Sequence, residues 1–268
     1  MPHTADNSYA CIQAGILQAL ADTGHALVPV PLDCASPGAV HELFRVIERL
    51  QPQGIVLPPP ASDSDELVAA LQGAGYAHVS IAPDARVHPA QLACSNDRQA
   101  MCDAANYLIA LGHRRIGFVS ISDESRTARE RELGFIDALA EHGLDFGAEL
   151  VVQSEDTAIS GLEAGLLLLN VSPRPSAVLA ASDTLAAGVL QAAARRKIAV
   201  PDTFSVMGFG DADLAPALTP PLTSMRVPYA EMGFTAAVKL LDPTRAALRS
   251  VEFLPRLVSR GSTGPIAS

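Results

Sequence analysis

The sequence predicts an α/β protein with two doubly wound parallel-sheet lobes, and two observations lead to this fold class. Short apolar runs alternate with longer amphipathic segments along the chain, which predicts βαβ units with right-handed crossovers. After the helix predicted at 98–111, the pattern restarts with a strand at Ile116. Two sets of such units, in a chain of 268 residues, fit two lobes of modest size.

The first set of elements lies before residue 112. Apolar residues at helical spacing predict helices, and short apolar runs predict strands. The predicted helices cover 8–23, 38–50, 63–73 and 98–111, and the predicted strands cover 26–31, 54–57, 77–81 and 92–95.

The second set repeats the pattern. Its predicted strands cover 116–120, 149–153, 176–181 and 204–209, and its predicted helices cover 127–142, 158–170 and 183–196. Ligands of doubly wound sheets bind outside the carboxyl ends of the strands. We therefore expect ligand-binding residues in the loops that follow the strands.

The charge of the chain argues against direct binding of nucleic acid. Nineteen Lys and Arg residues face 29 Asp and Glu residues, for a net charge of −10, whereas DNA binding needs clustered cations. The densest cationic stretch, Arg126 to Arg131, is interrupted by Glu130. We expect DNA to be no direct partner of this chain.

Several function classes lack their motifs in this sequence. The four cysteines form no CxxC pair and have no His at metal-ligand spacing, which predicts buried thiols and no metal site. No nucleophile elbow, P-loop or dinucleotide-binding motif occurs, so we expect no enzyme, no catalytic residue and no cofactor. Without a secretory signal or an apolar run of membrane-spanning length, we expect a cytoplasmic protein with no membrane partner.

Six segments resemble, in the same order, the signatures of one family. The stretch NYLIALGHRRIGF at 106–118 is similar to xxLIxLGHRRIxF, and VPDTFSVMGFGD at 200–211 is similar to VPDDxSVxGFDD. The other segments lie at 131–135, 180–188, 220–224 and 254–263. Together they resemble the LacI-type (lac repressor family) transcriptional regulators.

The resemblance implies a type I periplasmic-binding-protein architecture, with two α/β lobes joined by three crossovers. The first lobe would comprise 1–111 plus 227–254, and the second 112–226 plus 255–268. A small-molecule effector, carbohydrate-like in many members, would bind in the cleft between the lobes. The family implies a homodimer that contacts DNA through an N-terminal helix-turn-helix headpiece, and no such domain is present in this chain.

The resemblance also implies that the first strand of lobe one is missing, because Met1 falls at the end of that strand. We therefore expect a start assigned too late or a truncated gene, which the in-frame sequence upstream of Met1 would test. The alternative function is a truncated or degenerate small-molecule binding protein with no role in DNA regulation.

Arg131 matches the family's ligand-gripping arginine. A guanidinium offers a planar fork of donors that suits vicinal hydroxyls or a carboxylate. The alternative is a solvated arginine on a helix that also carries Arg126 and Arg129.

Further candidates come from positions that contact the ligand in the family, and each has a structural alternative. Asp6, Ser8 and Tyr9 lie at the start of the first helix, where Asp6 or Ser8 could be an N-cap. Asn96 and Asp97 precede the helix 98–111, and they could cap it. Tyr229 could stack on a sugar or be an ordinary half-buried tyrosine.

Four candidates depart from the residue types of the family. Gly210 replaces an Asp, Ser182 replaces an Asn, Asn96 stands where an Asp is common, and Asp156 stands where an aromatic residue often stacks on the ligand. The resemblance implies that each change would alter a hydrogen bond or stacking contact to the ligand. Two other polar residues of the family motifs are expected to be structural. Asp183 would cap the helix that begins at 184, and His113 would pack in a turn or make a hinge contact.

Overall fold

The computed structural model describes residues 7–82, 92–122, 125–242 and 251–266. The chain forms two compact units. Unit 1 comprises Met1–Asn96 and Pro228–Phe253, and unit 2 comprises Asp97–Val227 and Leu254–Ser268. The chain therefore passes between the units three times.

The described elements follow an α/β pattern. The helices are α1 Asn7–Leu20, α2 Ala39–Leu50, α3 Asp65–Gly73, α4 Asp97–Ala110, α5 Arg126–Glu141, α6 Ala158–Asn170, α7 Asp183–Arg195 and α8 Tyr229–Leu241. The strands are β1 Ile55–Leu57, β2 His78–Ala82, β3 Leu92–Cys94, β4 Ile116–Ile121, β5 Val151–Ser154, β6 Ala177–Ala180, β7 Ser205–Gly210, β8 Thr223–Arg226, β9 Val251–Glu252 and β10 Arg256–Val258. None of these helices is long and apolar enough to cross a bilayer.

Unit 1 is built on a parallel sheet in the order β1-β2-β3-β9 within the described residues. Helices α2 and α3 bury Leu43, Ile47, Leu67 and Leu71 against Leu57 of β1. Helices α1 and α8 pack closely on each other. The parallel strands and their covering helices confirm the predicted fold class for this unit.

The strand predicted at 26–31 is wrong. These residues form no strand in the described part of the chain, and Val28 and Val30 are 57% and 39% exposed. Pro29 and Pro31 have no backbone N–H to give to a sheet. This apolar run therefore lies in a largely exposed segment outside the sheet.

Unit 2 contains a sheet in the order β10-β8-β7-β6-β4-β5 within its described residues, parallel except for the β10–β8 pair. On one side, Phe135 of α5 stacks on Phe118 of β4 with ring centroids 4.7 Å apart. Elsewhere α6 and α7 bury Leu168 and Val189 against Val178 of the sheet. These contacts place the carboxyl ends of β4 to β7 at one edge of a rigid sheet.

Helix α4 belongs to unit 2, because it packs along α5. Gly134 of α5 permits this approach, since a Cβ there would lie 2.1 Å from the carbonyl oxygen of Arg98. Arg98 also forms an ion pair of 2.5 Å with Asp137. The boundary expected after residue 111 thus differs from the structure, in which the division falls between residues 96 and 97.

Candidate functional site

Most of the candidate residues of unit 2 lie at the carboxyl ends of its strands. Asp156 follows β5, Ser182 follows β6, and Gly210 ends β7. Arg131 is added by α5, whose start is fixed by the hydroxyl of Ser125, which accepts a hydrogen bond of 3.1 Å from the N–H of Ala128. This is the edge at which the sequence predicts a ligand site.

The guanidinium of Arg131 is held rigidly inside unit 2. Its Nε donates to Oδ2 of Asp97 at 2.8 Å, and Nη1 donates to the carbonyl oxygen of Ala181 at 2.8 Å. Its Cζ lies 4.3 Å from the ring centroid of Phe209. Because Arg131 is only 5% exposed, the alternative of a solvated arginine is wrong.

Asp97, the first residue of α4, is the charged partner of Arg131. The side chains of Asp97 and Arg131 are 2% and 6% exposed, so the ion pair is buried away from solvent. Removing one member of such a pair is strongly destabilising, because the other charge stays buried without compensation. The carboxylate of Asp97 therefore orients the guanidinium of Arg131.

Asp156 and Ser182 are in direct contact. The hydroxyl of Ser182 donates a short hydrogen bond to Oδ1 of Asp156 and accepts one of 3.1 Å from the N–H of Leu185. Ser182 is thus the N-cap of α7, whereas the sequence assigned that role to Asp183. The cap fixes the orientation of the Asp156 carboxylate.

Asp183 is buried and structural. Oδ1 accepts a hydrogen bond of 2.6 Å from the hydroxyl of Ser224, and Oδ2 accepts one of 2.6 Å from the N–H of Ala212. Burial raises the pKa of Asp183 to about 6, although these two hydrogen bonds oppose the rise. The carboxylate ties the loop after β7 to β8.

The loop after β7 has an unusual backbone. Gly210 and Asp211 have φ values of +118° and +56°, and the former is a conformation that L side chains rarely adopt. The carboxylate of Asp211 forms ion pairs of 2.6 Å with both Arg226 and Arg260. Position 210 thus brings no side chain to the site, and the carboxylate at 211 is engaged by two arginines.

The other candidates lie in unit 1. Ser8 and Tyr9 are in the first turn of α1, and the Tyr9 hydroxyl donates to the carbonyl oxygen of Pro59, in the loop after β1. Asn96 donates to Glu252 of β9 at 2.7 Å. Tyr229 is the first residue of α8. Asp6 lies outside the described residues.

The structure therefore joins two pairs of candidates directly, Arg131 with Asp97 and Asp156 with Ser182. Sequence reasoning missed Phe209, Arg226 and Arg260 as neighbours of the site. In the sequence, Phe209 resembles any other apolar residue of a strand. Arg226 and Arg260 are far from Asp211 in the sequence, and they pair with it only because β8 and the segment after β10 pack beside β7. No pattern in the sequence marks those contacts.

His113 packs at the other end of the strands, as predicted. Its ring nitrogens lie 2.9 Å from the hydroxyl of Ser176, and 3.1 Å from both the hydroxyl of Ser205 and the carbonyl oxygen of Gly264. Burial lowers the pKa of His113. These contacts fix the segment around residue 264 to the sheet.

Among the residues that the structure describes, no group of three or more His, Cys, Asp or Glu side chains is suited to a metal ion. The strand ends offer a fixed guanidinium, an aromatic ring beneath it and an oriented carboxylate. Such a combination can bind a polar molecule through directed hydrogen bonds.

The comparisons with known proteins agree on one family. A profile described as a periplasmic binding protein-like domain matches residues 105–263. The HTH-type transcriptional regulator DegA of Bacillus subtilis is 31% identical over 230 residues, which are 83% of this chain and 67% of DegA. The HTH-type transcriptional regulator AscG of Escherichia coli is 38% identical over 135 residues.

These alignments span part of each relative. The match covers 50% of this chain and 40% of AscG. Among solved structures, the transcriptional regulator CelR in complex with cellobiose has a TM-score of 0.83 and 28% identity, with 96% of this chain and 80% of that chain covered. The chain therefore belongs to the LacI family of transcriptional regulators, and it has the periplasmic-binding-protein-like fold of their effector-binding domain.

Proposed function

We propose that this chain is the ligand-sensing and dimerisation part of a LacI-type transcriptional regulator. It binds a carbohydrate-like small molecule through strand-end loops that include the Arg131 site. The observation that carries the proposal is the fixed, buried guanidinium of Arg131 between Asp97, Ala181 and Phe209. A related structure that contains cellobiose supports a sugar.

The geometry of Arg131 suits recognition of a ligand. A guanidinium that is already oriented loses little conformational freedom when a ligand binds. The planar fork of a guanidinium can meet two neighbouring hydroxyl groups. The proposed role is binding without a chemical step, in keeping with relatives that are named as transcriptional regulators.

Contact with DNA is proposed to come from a headpiece outside this chain. The relatives are named as HTH-type regulators, and the net charge of −10 disfavours binding of this chain to phosphates. In this proposal, ligand binding shifts the population of conformations and so changes the DNA affinity of the headpiece. A cytoplasmic location goes with this role and stays a prediction.

The proposed dimer is supported by the outer face of α6. Ile159 and Leu167 are 71% and 59% exposed, and Glu163 is the one charged side chain in this helix. The inner face packs on α7, and the outer face presents Ile159 and Leu167 on either side of the exposed Glu163. Exposed apolar patches of this kind are typical of protein interfaces, and a second copy of the chain would cover this one.

A thermal-shift screen tests the ligand proposal. We expect at least one of cellobiose, ribose, glucose, polyols or nucleosides to raise the melting temperature. A ligand at 100 times its Kd adds about 2.7 kcal/mol of stability. Absence of any stabilising compound in the whole panel would contradict the proposal.

Two variants tie such a shift to the proposed site. Arg131→Ala should abolish the shift, whereas Arg129→Ala, an exposed arginine on the same helix, should leave it unchanged. A shift that survives in Arg131→Ala would remove this residue from the site.

A further inference from the structure

We infer that Arg226 binds an anionic group of the effector, a carboxylate or a phosphate, at the carboxyl end of β8. This inference rests on the proposed function, and it names the charge class of the carbohydrate-like ligand. It follows from the way in which two arginines share one buried aspartate beside Gly210.

Arg260 is the structural partner of Asp211. The side chain of Asp211 is 3% exposed, and a carboxylate buried to this degree needs a cation beside it. Nη2 of Arg260 lies 2.6 Å from Oδ1 of Asp211. Arg260 also donates through Nη1 to the carbonyl oxygen of Leu222 at 2.6 Å, and through its backbone N–H to the hydroxyl of Thr223 at 2.9 Å. With a side chain only 16% exposed, Arg260 is held in place by these contacts.

Arg226 pairs with the same aspartate but remains accessible. Its side chain is 59% exposed, and its Nε donates to Oδ2 of Asp211 at 2.6 Å. Within the described part of the chain, this is the ion pair that the guanidinium of Arg226 makes. The contact fixes the guanidinium at Nε, and the two Nη groups stay available as a planar fork of donors. Such a fork matches the two oxygens of a carboxylate or phosphate.

The position of Arg226 in the sheet places it where a ligand can bind. In the parallel register of β7 and β8, Gly210 is the partner of Arg226, so both residues lie at the strand ends where doubly wound sheets bind their ligands. Gly210 has no side chain, and its φ of +118° strains any other residue. The neighbouring strand end therefore places no carboxylate side chain beside Arg226 at this register position.

The charges around Asp211 leave an excess on the exposed arginine. Two arginines face one aspartate, and the buried Arg260 already neutralises it. The nearby Asp183 is buried, and its carboxylate accepts hydrogen bonds from the hydroxyl of Ser224 and the N–H of Ala212. A ligand anion would therefore form charge-assisted hydrogen bonds with Arg226, which are stronger than those of a neutral hydroxyl group.

The experiment compares neutral sugars with their anionic forms. Apparent Kd values are measured by titration calorimetry for glucose, glucuronate and glucose 6-phosphate, and for ribose and ribose 5-phosphate. The proteins are the wild type, Arg226→Gln and Arg195→Gln. Arg195 is an exposed arginine in the last turn of α7, so its variant gives the same change of charge away from the strand ends. Because Arg260 still covers Asp211, Arg226→Gln should fold, and its ligand-free melting temperature checks this.

We expect the wild type to bind at least one anionic sugar about tenfold or more tightly than its neutral parent. The comparison of glucuronate with glucose 6-phosphate distinguishes a carboxylate from a phosphate. Arg226→Gln should abolish the preference, while Arg195→Gln should retain it. Should Arg226→Gln melt too low for the assay, Arg226→Lys keeps a charge beside Asp211 but loses the fork, and its preference should fall about threefold or more.

Two results would overturn this inference alone. One is a wild type that binds the neutral parents as tightly as the anionic sugars. The other is an anion preference that is unchanged in the folded Arg226 variant. If no compound of any charge binds, the proposed function fails with it.

Discussion

At the scale of single residues, the site is organised by charges that have partners inside unit 2. The ion pair of Arg131 and Asp97 is buried, while that of Arg98 and Asp137 joins the same two helices with side chains 37% and 38% exposed. Buried and exposed pairs contribute very differently to stability. The exposed pair can therefore serve as a control for the contribution of the buried pair to stability.

We predict that Asp97→Asn lowers the free energy of unfolding by about 3 kcal/mol or more, because Arg131 would stay buried after losing its ion pair with Asp97. Asp137→Asn should lower it by about 1 kcal/mol or less, since water screens that pair. Urea denaturation of both variants measures the difference. Equal losses would contradict the role assigned to Asp97.

Asp183 makes stability depend on pH. Its folded pKa of about 6 lies above the ordinary aspartate pKa of 3.8, so the folded state binds the proton more tightly than the unfolded state does. This contribution to stability is fully present below about pH 3.8, and it is lost as the pH rises through 6. A rise of this size in the pKa corresponds to a loss of about 3 kcal/mol of stability between low and neutral pH.

We therefore predict that stability measured against pH falls more steeply between pH 4.5 and 7 in the wild type than in Asp183→Asn. The difference between the two proteins isolates Asp183, because the opposite contribution of His113, whose pKa is lowered, is common to both. Chemical denaturation across this range measures it. Parallel curves would show that Asp183 does not titrate there.

At the scale of elements, the exposed apolar residues of α6 form the proposed dimer interface. We predict that Ile159→Lys combined with Leu167→Lys converts a dimer into a monomer, because two charges would be buried in the interface. Val28→Lys changes an equally exposed apolar residue in unit 1 and should leave the dimer intact. Sedimentation equilibrium measures the mass, and a monomeric wild type would contradict the proposed interface.

The α6–α7 pair also depends on close packing. A Cβ at Gly188 would lie 2.3 Å from the carbonyl oxygen of Ala158, so Gly188→Ala should destabilise by about 1–3 kcal/mol. Gly73 at the end of α3 has nothing within 4 Å of such an atom, and Gly73→Ala should be neutral or stabilising. Thermal denaturation of both variants checks this, and equal melting temperatures would contradict it.

The elements that sequence predicted well are those with a strong apolar period and a covered face. Helices such as α2 and α5 and strands such as β4 lie within a few residues of their predicted bounds. Residues 26–31 do not form the predicted strand, because a short apolar run does not show whether a strand has a hydrogen-bonding partner. The short strands β9 and β10 have too few residues for a period to show.

The candidate site was predicted only in part. Arg131 and the strand-end loops could be predicted, because a family motif and the rule for parallel sheets mark them. The partners of Arg131 could not, since Ala181 contributes a backbone oxygen and Phe209 a ring face. Such contacts depend on where the backbone lies in the fold, and the residue types alone do not predict them.

At the scale of the whole molecule, the chain passes three times between two α/β units. Asp97 is the first residue of unit 2 after the first passage, and Arg226 lies one residue before Val227, the last residue of unit 2 before the second passage. Asp97 pairs with Arg131, and Arg226 pairs with Asp211. Two residues that contact the proposed ligand site, Asp97 and Arg226, therefore lie next to a passage between the units in the sequence.

The central claim is that Arg131 binds the effector of this LacI-type domain. A crystal structure of the chain with the sugar that stabilises it most tests this claim directly. We predict a ligand oxygen within about 2.7–3.2 Å of a guanidinium nitrogen of Arg131, with that side chain still paired to Asp97. A ligand bound at a site that leaves this guanidinium without any contact to it would contradict the account.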